Sequence, residues 1–525
     1  MCQPTPTNAN STAHNVVICG AGPAGLLAAI LLLRRNSNAT SNPSAPKYHV
    51  TLVDPGTDYG KLDADRLNRA RSWMIGLSSH GLSAIREVPN LYENYIHGLG
   101  IDITKAVFGL SKNLKFELNA NDILPEDSAF TVDRNYICAA LSRYLNQQHG
   151  NDENFVSHYH TRALFVDGDN KCVMARQKNG GDGDGDGDGG TNSDAPTNDI
   201  SIPYDILLGC DGIRSIVRSS FLTKHRDFEF DLRGTFSYGK SVHVALPEGM
   251  DPGTFMFVNE ALPNFGSFIL PETGNKLNVA LGTAMNKECA PELKSDDAKV
   301  VADYFRKHWH AFEIDADEAG RQWVNQGWQI ISQVHCNFYH SKTLSALLLG
   351  DAAHATSPQI GQGMNTALAD AAALNRLLDE NKDDWSAVLP EFSEERVKEG
   401  QALTDLSFYT FSLSAKQQLT LMLRQNIRRT LNGLVPWLVD PDPMSEVSKG
   451  MRLSEAYHRM SKLGVISRVR KVNDGIMRDH FERETGMVRT DDTSTAGVVK
   501  KICLYGIPVV AASVVGAFVL GGRAQ

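Results

Sequence analysis

The pattern of apolar and polar positions starts with a polar tail and then an apolar run, Val16–Cys19, that stops at Gly20, Gly22 and Gly25. It resumes as an apolar helix predicted over Leu26–Arg35, and a second strand is predicted over Tyr48–Val53. The polar stretch Asn36–Pro46 has no periodic apolar face, so it is expected to lengthen the helix-to-strand connection as a surface insertion. Strand-like runs at Ala163–Arg176 and Ile200–Leu208 flank the Gly-Asp tract of Lys178–Asn198, whose repelling charges bury little and predict a disordered hairpin loop. Asp182, Asp184, Asp186 and Gly187 imitate the start of a calcium loop, but Ser193 stands where a bidentate Glu is required, so no metal is expected. From Phe228 to about His340 short alternating segments broken by Pro and Gly predict a sheet-bearing second domain. After Gly350 helical periodicity prevails, through Ala367–Glu380 and Asp405–Leu434.

A chain of 525 residues exceeds one ordinary hydrophobic core, leaving interior for a bulky cofactor. A net charge of −9 gives no electrostatic reason to expect nucleic acid as a partner. The eight cysteines, Cys2, Cys19, Cys138, Cys172, Cys210, Cys289, Cys336 and Cys503, form no CxxC pair and no zinc-ligand cluster, and read as thiols of a reducing compartment. Met1–Asn15 has neither the apolar core of a signal peptide nor the arginines of an organellar presequence. Ile502–Gly522, preceded by Lys500 and Lys501, holds no charged residue and has the length of a bilayer span. Its glycines and Pro508 would weaken a soluble helix and are tolerated in membrane helices, so a C-terminal transmembrane anchor is expected.

The glycine turn VVICGAGPAG carries the strongest chemical signal, because each glycine has a separate task. Gly20 permits a tight turn, Gly22 lets the backbone approach a pyrophosphate and Gly25 lets helix and strand pack, with Pro23 and Ala24 opening the helix. Asp54, at the end of the second strand, is placed to accept hydrogen bonds from an adenosine ribose. Two later segments, LLGCDGIRSIVR around Asp211 and LLLGDAAHATSPQIGQGMN around Gly350 and Asp351, also set an acid after an apolar strand. Asp351 can bond a ribityl hydroxyl, while Gly361, Gly363, Met364 and Asn365 open a helix whose amides can face an electron-rich ring carbonyl.

Together, GAGPAG, the segment with Asp211, Gly212, Ser215 and Arg218, and the segment with Gly350, Asp351, His354 and Pro358 resemble the three signatures of the flavoprotein aromatic hydroxylases. The likeness reaches to about residue 400. RSWMIGLSSHG (Arg71–Gly81), GQGMN and DLSFYTF (Asp405–Phe411), with the terminal span, resemble the branch that hydroxylates L-kynurenine to 3-hydroxykynurenine in tryptophan degradation. The resemblance implies an α/β fold: a Rossmann-type FAD domain (14–105, 130–225, 340–400), an interleaved substrate-binding sheet domain (106–129, 226–339), a helical region (401–485) and the anchor (502–522). It implies FAD reduced by NADPH and reoxidised by dioxygen to a C4a-hydroperoxide, with no second dinucleotide fold for NADPH. It also places the anchor in the mitochondrial outer membrane, with the catalytic domain facing the cytosol.

By the same resemblance, Arg71 and Arg134 contact flavin, and Asn365 and Tyr409 line the substrate pocket. No arginine or tyrosine occurs between Ile96 and Asp133 to hold an amino-acid carboxylate, and the matching stretch offers Lys105. The alternative is a membrane-anchored flavoprotein acting on another aromatic or lipid, or a flavin reductase that does not hydroxylate. His354 is read as a capping residue rather than a base, and no side chain stands out as sole catalyst, since a dry pocket does most of the work.

Overall fold

The computed structural model describes residues 13–487, apart from 42–45, 70–71, 73, 112–113, 120–129, 179–196, 285–286, 408–423, 425–426, 429, 436 and 438. The chain divides into two units, 1–473 and 474–525, and the architecture below belongs to the first.

The opening β1 (Ala13–Cys19), α1 (Pro23–Ser41) and β2 (Lys47–Val53) form the expected strand-helix-strand, with β1 and β2 parallel in register from Ala13↔Lys47 to Cys19↔Val53. One expectation is corrected here. Helix α1 continues through Ser41, because Asn36 to Ser41 extend the helical turn that the apolar pattern no longer marks. The return to β2 is closed by Asn36, whose Oδ1 accepts from the Tyr48 amide (2.8 Å) and whose Nδ2 donates to the Tyr48 carbonyl (2.9 Å).

Next come α2 (Ala64–Arg69), β3 (Met74–Leu77), α3 (Ser79–Arg86), β4 (Ile101–Asp102), the hairpin β5 (Lys105–Ser111) and β6 (Leu114–Asn119), then β7 (Phe130–Asp133), α4 (Arg134–His149) and β8 (Phe155–His158). Strands β9 (Thr161–Asp167), β10 (Cys172–Lys178) and β11 (Thr197–Pro203) make a small antiparallel sheet. The β10–β11 pairing runs to Lys178↔Thr197, the two ends of the Gly-Asp tract, which itself lies outside the described residues. The run Ile200–Leu208 does not form one strand. It breaks after Pro203, and Ile206–Gly209 enters the main sheet as β12.

After α5 (Ile216–Lys224) come β13 (Phe230–Ala245), β14 (Thr254–Leu262), β15 (Phe265–Glu272) and β16 (Lys276–Ala284), then α6 (Ala298–His308), α7 (Ala316–Val324) and β17 (Gln329–Cys336). The chain returns through β18 (His340–Ser341), β19 (Ala346–Leu348), α8 (Asp351–His354), α9 (Gly363–Glu380) and α10 (Trp385–Ser407).

Two sheets carry the function. The first, ordered β18-β19-β12-β1-β2-β8, has β1 at its centre, so the glycine turn, Asp211 and Asp351 all leave neighbouring strands at one sheet end. Val16–Cys19 of β1, β12 and β19 read as continuous apolar runs because both faces are buried there. The second is ordered β17-β13-β16-β15-β14-β5-β6. One of its faces packs Val242, Met256, Ile269 and Val279 against Phe305 of α6 and Trp323 of α7. The terminal span Ile502–Gly522 lies outside the described residues, and no described helix is long and apolar enough to cross a membrane.

Candidate functional site

The glycine turn is built as its residue types require. Gly20 has φ +106°, and its amide donates to Val53 (2.8 Å), so the turn is tied to β2. A Cβ on Gly25 would fall 2.0 Å from the Gly20 carbonyl oxygen, which is the close helix-to-strand approach that only glycine allows. A Cβ on Gly22 would meet nothing within 4 Å, leaving backbone open to a ligand. Pro23 begins α1, where its missing amide costs nothing, and buried Ala24 packs toward Gly350.

Asp54 is turned toward this loop. Its Oδ2 accepts from the Ala21 amide (2.7 Å) and its Oδ1 from the Gly56 amide (2.6 Å), so the carboxylate shapes the turn as well as bordering the nucleotide position. Asp211 holds the start of α5, accepting at Oδ2 from Ile216 (2.8 Å) and Val217 (3.3 Å). Its Oδ1 is sealed from solvent and meets no hydrogen-bond donor among the described residues, and burial raises the carboxyl above the usual range. Arg218 braces the two acidic segments together, donating to the carbonyls of Ile213 (2.6 Å) and Ala352 (2.9 Å).

Asp351 heads α8 with its carboxylate exposed, yet protein crowds it closely enough to raise it, as for an acid at the wall of an open hollow. His354 and Arg134 oppose that rise. Arg134, at the start of α4, has no hydrogen-bonded partner among the described residues. Burial would lower its guanidinium, but Cys138, Asp351, Tyr59 and Asp54 raise it overall. One cation therefore stands among the acids of two signatures. Gly361, with φ +64°, turns the chain into α9. There the amides of Gly363, Met364 and Asn365 precede the first helical bond, from Thr366 to Gln362.

Nothing in the sequence signals what locks this loop. Asp370, fully buried on α9, accepts from the Gly350 amide (2.8 Å) and Arg396 Nε (2.6 Å) and pairs with His354 Nε2 at 2.7 Å. Burial alone would raise the Asp370 carboxyl, but His354 and Arg396 together hold it down to about 2. His354 is thus a buried partner of Asp370, remote from the base role, in keeping with a structural reading.

Asn365 is placed differently from the expectation that it faces substrate. It is fully buried, its Nδ2 donates to the Gly76 (2.9 Å) and Gly361 (2.8 Å) carbonyls and its Oδ1 accepts from the Ser78 amide (2.9 Å). Its side chain stitches the Met74–Leu77 strand to the Gly361 turn and has no group left for a substrate. Lys105 is likewise engaged. It pairs with Glu117 on β6 (2.5 Å) and shares the sheet face of Val107, the face that α6 and α7 cover. Arg71 and Tyr409 lie outside the described residues.

The opposite face of the large sheet is the open one. Phe108, Phe255, Phe257 and Phe268 lie on it half-buried, with ring centroids 5.0 Å apart for Phe257 and Phe268 and 6.3 Å for Phe108 and Phe255. The sheet reaches the flavin-side residues through β15: the Thr131 hydroxyl donates to the Pro271 carbonyl (3.3 Å), next to Asp133 and Arg134.

The open space at Gly22, the orphaned Asp211 oxygen and the unpartnered Arg134 fit a dinucleotide with a flavin. Residues 184–407 match the FAD binding domain family. This match and the relatives that follow show an FAD-dependent monooxygenase, with FAD as cofactor and NADPH as co-substrate. It is 26% identical to violacein synthase of Chromobacterium violaceum over 85% of this chain and 96% of that protein. It is also 24% identical to kynurenine 3-monooxygenase of Anopheles gambiae over 82% and 81%. In fold it is similar to P. aeruginosa PqsL in complex with 2-aminobenzoylacetate, with a TM-score of 0.56, 18% identity, and coverage of 77% of this chain and 98% of that one.

Proposed function

We propose that the protein hydroxylates L-kynurenine to 3-hydroxykynurenine. The observation that carries this reading is the open phenylalanine face of the large sheet, joined through Thr131 and Pro271 to the segment that presents Arg134. Such a face excludes water and stacks an aromatic ring in offset or edge-on contact. Relatives that are kynurenine 3-monooxygenases, at 23–26% identity over most of the chain, support the choice of ring.

When bound, FAD reduced by NADPH supplies the activated oxygen for insertion into the ring. The chain's own residues bind and orient. Arg134 would offset the negative charge of the bound dinucleotide, and Asp351 and the partnerless oxygen of Asp211 would accept hydrogen bonds from its hydroxyl groups. The first amides of α9 would offer hydrogen-bond donors to an electron-rich ring carbonyl of the flavin. Asn365 and Asp370 fix the loops that bring these groups together. Tyr409 and Arg71 are proposed to complete the substrate and flavin contacts, and Ile502–Gly522 to anchor the protein in the mitochondrial outer membrane with this domain facing the cytosol.

Another aromatic substrate is the second reading, favoured by the match to violacein synthase over 96% of its length and by a Lys105 that is spent on Glu117. NADPH oxidation in air with and without L-kynurenine, with mass analysis of the product, tests the proposal. Stimulation with a product heavier by one oxygen supports it, whereas oxidation indifferent to kynurenine rejects it.

A further inference from the structure

The phenylalanine face also carries a polar pair, His243 and Glu272, that the flavin chemistry does not use. His243 on β13 pairs with Asn278 on β16, and Asn278 with Leu270 on β15, so these residues share one row across the sheet. Residues directly opposite in neighbouring strands project to the same side. The next row on that side is Ser241, Ala280, Phe268, Phe257 and Phe108. His243 therefore projects to the open aromatic face, while its neighbours Val242 and Val244 enter the core behind.

Glu272, two residues beyond Leu270, lies on the same face, and its Oε2 is 2.7 Å from His243 Nδ1. Buried Asn278 stands behind the imidazole, with its Nδ2 3.5 Å from Nε2. The pair remains accessible, with side-chain exposures of 35% for His243 and 20% for Glu272. Glu272 keeps Oε1 without a partner among the described residues. Pro271, next to Glu272, accepts from the Thr131 hydroxyl, which places Glu272 at the flavin-side end of the sheet. Lys276, opposite Glu272 in the β15–β16 hairpin, is exposed and makes no ion pair with it.

We propose that Glu272, oriented by His243, is the specificity residue that accepts a hydrogen bond from an N–H group of the substrate ring or its side chain. This deepens the reading above and rests on it. A carboxylate acceptor beside aromatic walls favours an aniline, indole or ammonium N–H and repels an anionic group placed at the same spot. A site built to receive such a donor rejects the analogue lacking it, because that ligand strips water from Oε1 without replacing its hydrogen bond.

The test measures dissociation constants on the full FAD-loaded chain, from the change in flavin absorbance on titration without NADPH. Two matched pairs serve as probes: L-kynurenine with 3-benzoylpropionate, which lacks both amines, and indole with benzothiophene. The native chain is expected to bind an N–H member at least about tenfold more tightly than its counterpart, and Glu272→Leu to reduce that ratio to about twofold or less. If Glu272→Leu does not retain FAD, Glu272→Gln replaces it, with the ratio expected to fall by about threefold through loss of the charge-assisted bond. Discrimination unchanged in the variant, or no preference for either N–H member in the native chain, overturns the proposal. Glu272-dependent discrimination for indole with no binding of L-kynurenine supports it while rejecting kynurenine as substrate.

Discussion

Arg396 donates through Nε to Asp370 at 2.6 Å, with both side chains withdrawn from solvent, and the other carboxylate oxygen of Asp370 is divided between His354 and the Gly350 amide. This pairing explains why the turn before Asp351 holds one shape. Gly350 adopts φ +58°, and its amide is secured by a carboxylate that two cationic or donor groups keep ionised.

Asp370→Asn should therefore destabilise the chain by about 3–5 kcal/mol, since Arg396 is left as a buried charge without its counter-ion. Chemical denaturation of the native and variant proteins checks this. A loss below 1 kcal/mol would show that the network is not holding the loop.

The same group sets a pH dependence. Its folded value of about 2 lies below the ordinary 3.8, so its contribution is complete above pH 3.8 and is lost as pH falls from 3.8 toward 2. The gap corresponds to about 2 kcal/mol. The stability difference between the native chain and Asp370→Asn should shrink across that window and stay constant from pH 5 to 7, as read from denaturation at each pH.

Gly22 and Gly25 should separate binding from folding. Gly22→Ala adds a methyl group to open space, so unfolding should hardly change, while FAD affinity drops by about tenfold or more as the backbone can no longer approach the phosphates. Gly25→Ala forces a carbon against the Gly20 carbonyl and should cost about 1–3 kcal/mol of stability. Fluorescence titration with FAD and thermal unfolding distinguish the two.

Lys105→Met should leave the substrate KM within about twofold and stability within about 1 kcal/mol, as expected for a partly exposed ion pair on the covered side of its strand. A large rise in KM would restore the carboxylate-holding role.

Removal of the chain beyond Lys500 should release active protein from membranes. Sedimentation with membranes after truncation would defeat the anchor proposal.

What the sequence disclosed was local. The glycine turn, its strand and helix, and the acid closing β2 are spaced by backbone geometry within one unit, so their types and intervals suffice. Asp370 and Arg396 were not legible, because nothing near either residue announces a partner across α9 and α10. Lys105 looked available for the opposite reason: its type suits an anion, but which face of β5 it takes depends on parallel pairing with β14, far along the chain. Asn365 carried the right motif, yet only the folded loop shows that its amide is consumed by Gly76, Ser78 and Gly361. The helix past Arg35 was missed because polar residues extend it without an apolar stripe.

The clasp between Asn36 and Tyr48 has an evolutionary corollary. By gripping both backbone groups of Tyr48, the Asn36 amide fixes where β2 begins regardless of how many residues pass between the two. Insertions and deletions there can accumulate without shifting Asp54 from the glycine turn, so the segment is a place where tags or new surface features can be grafted at little risk to cofactor binding.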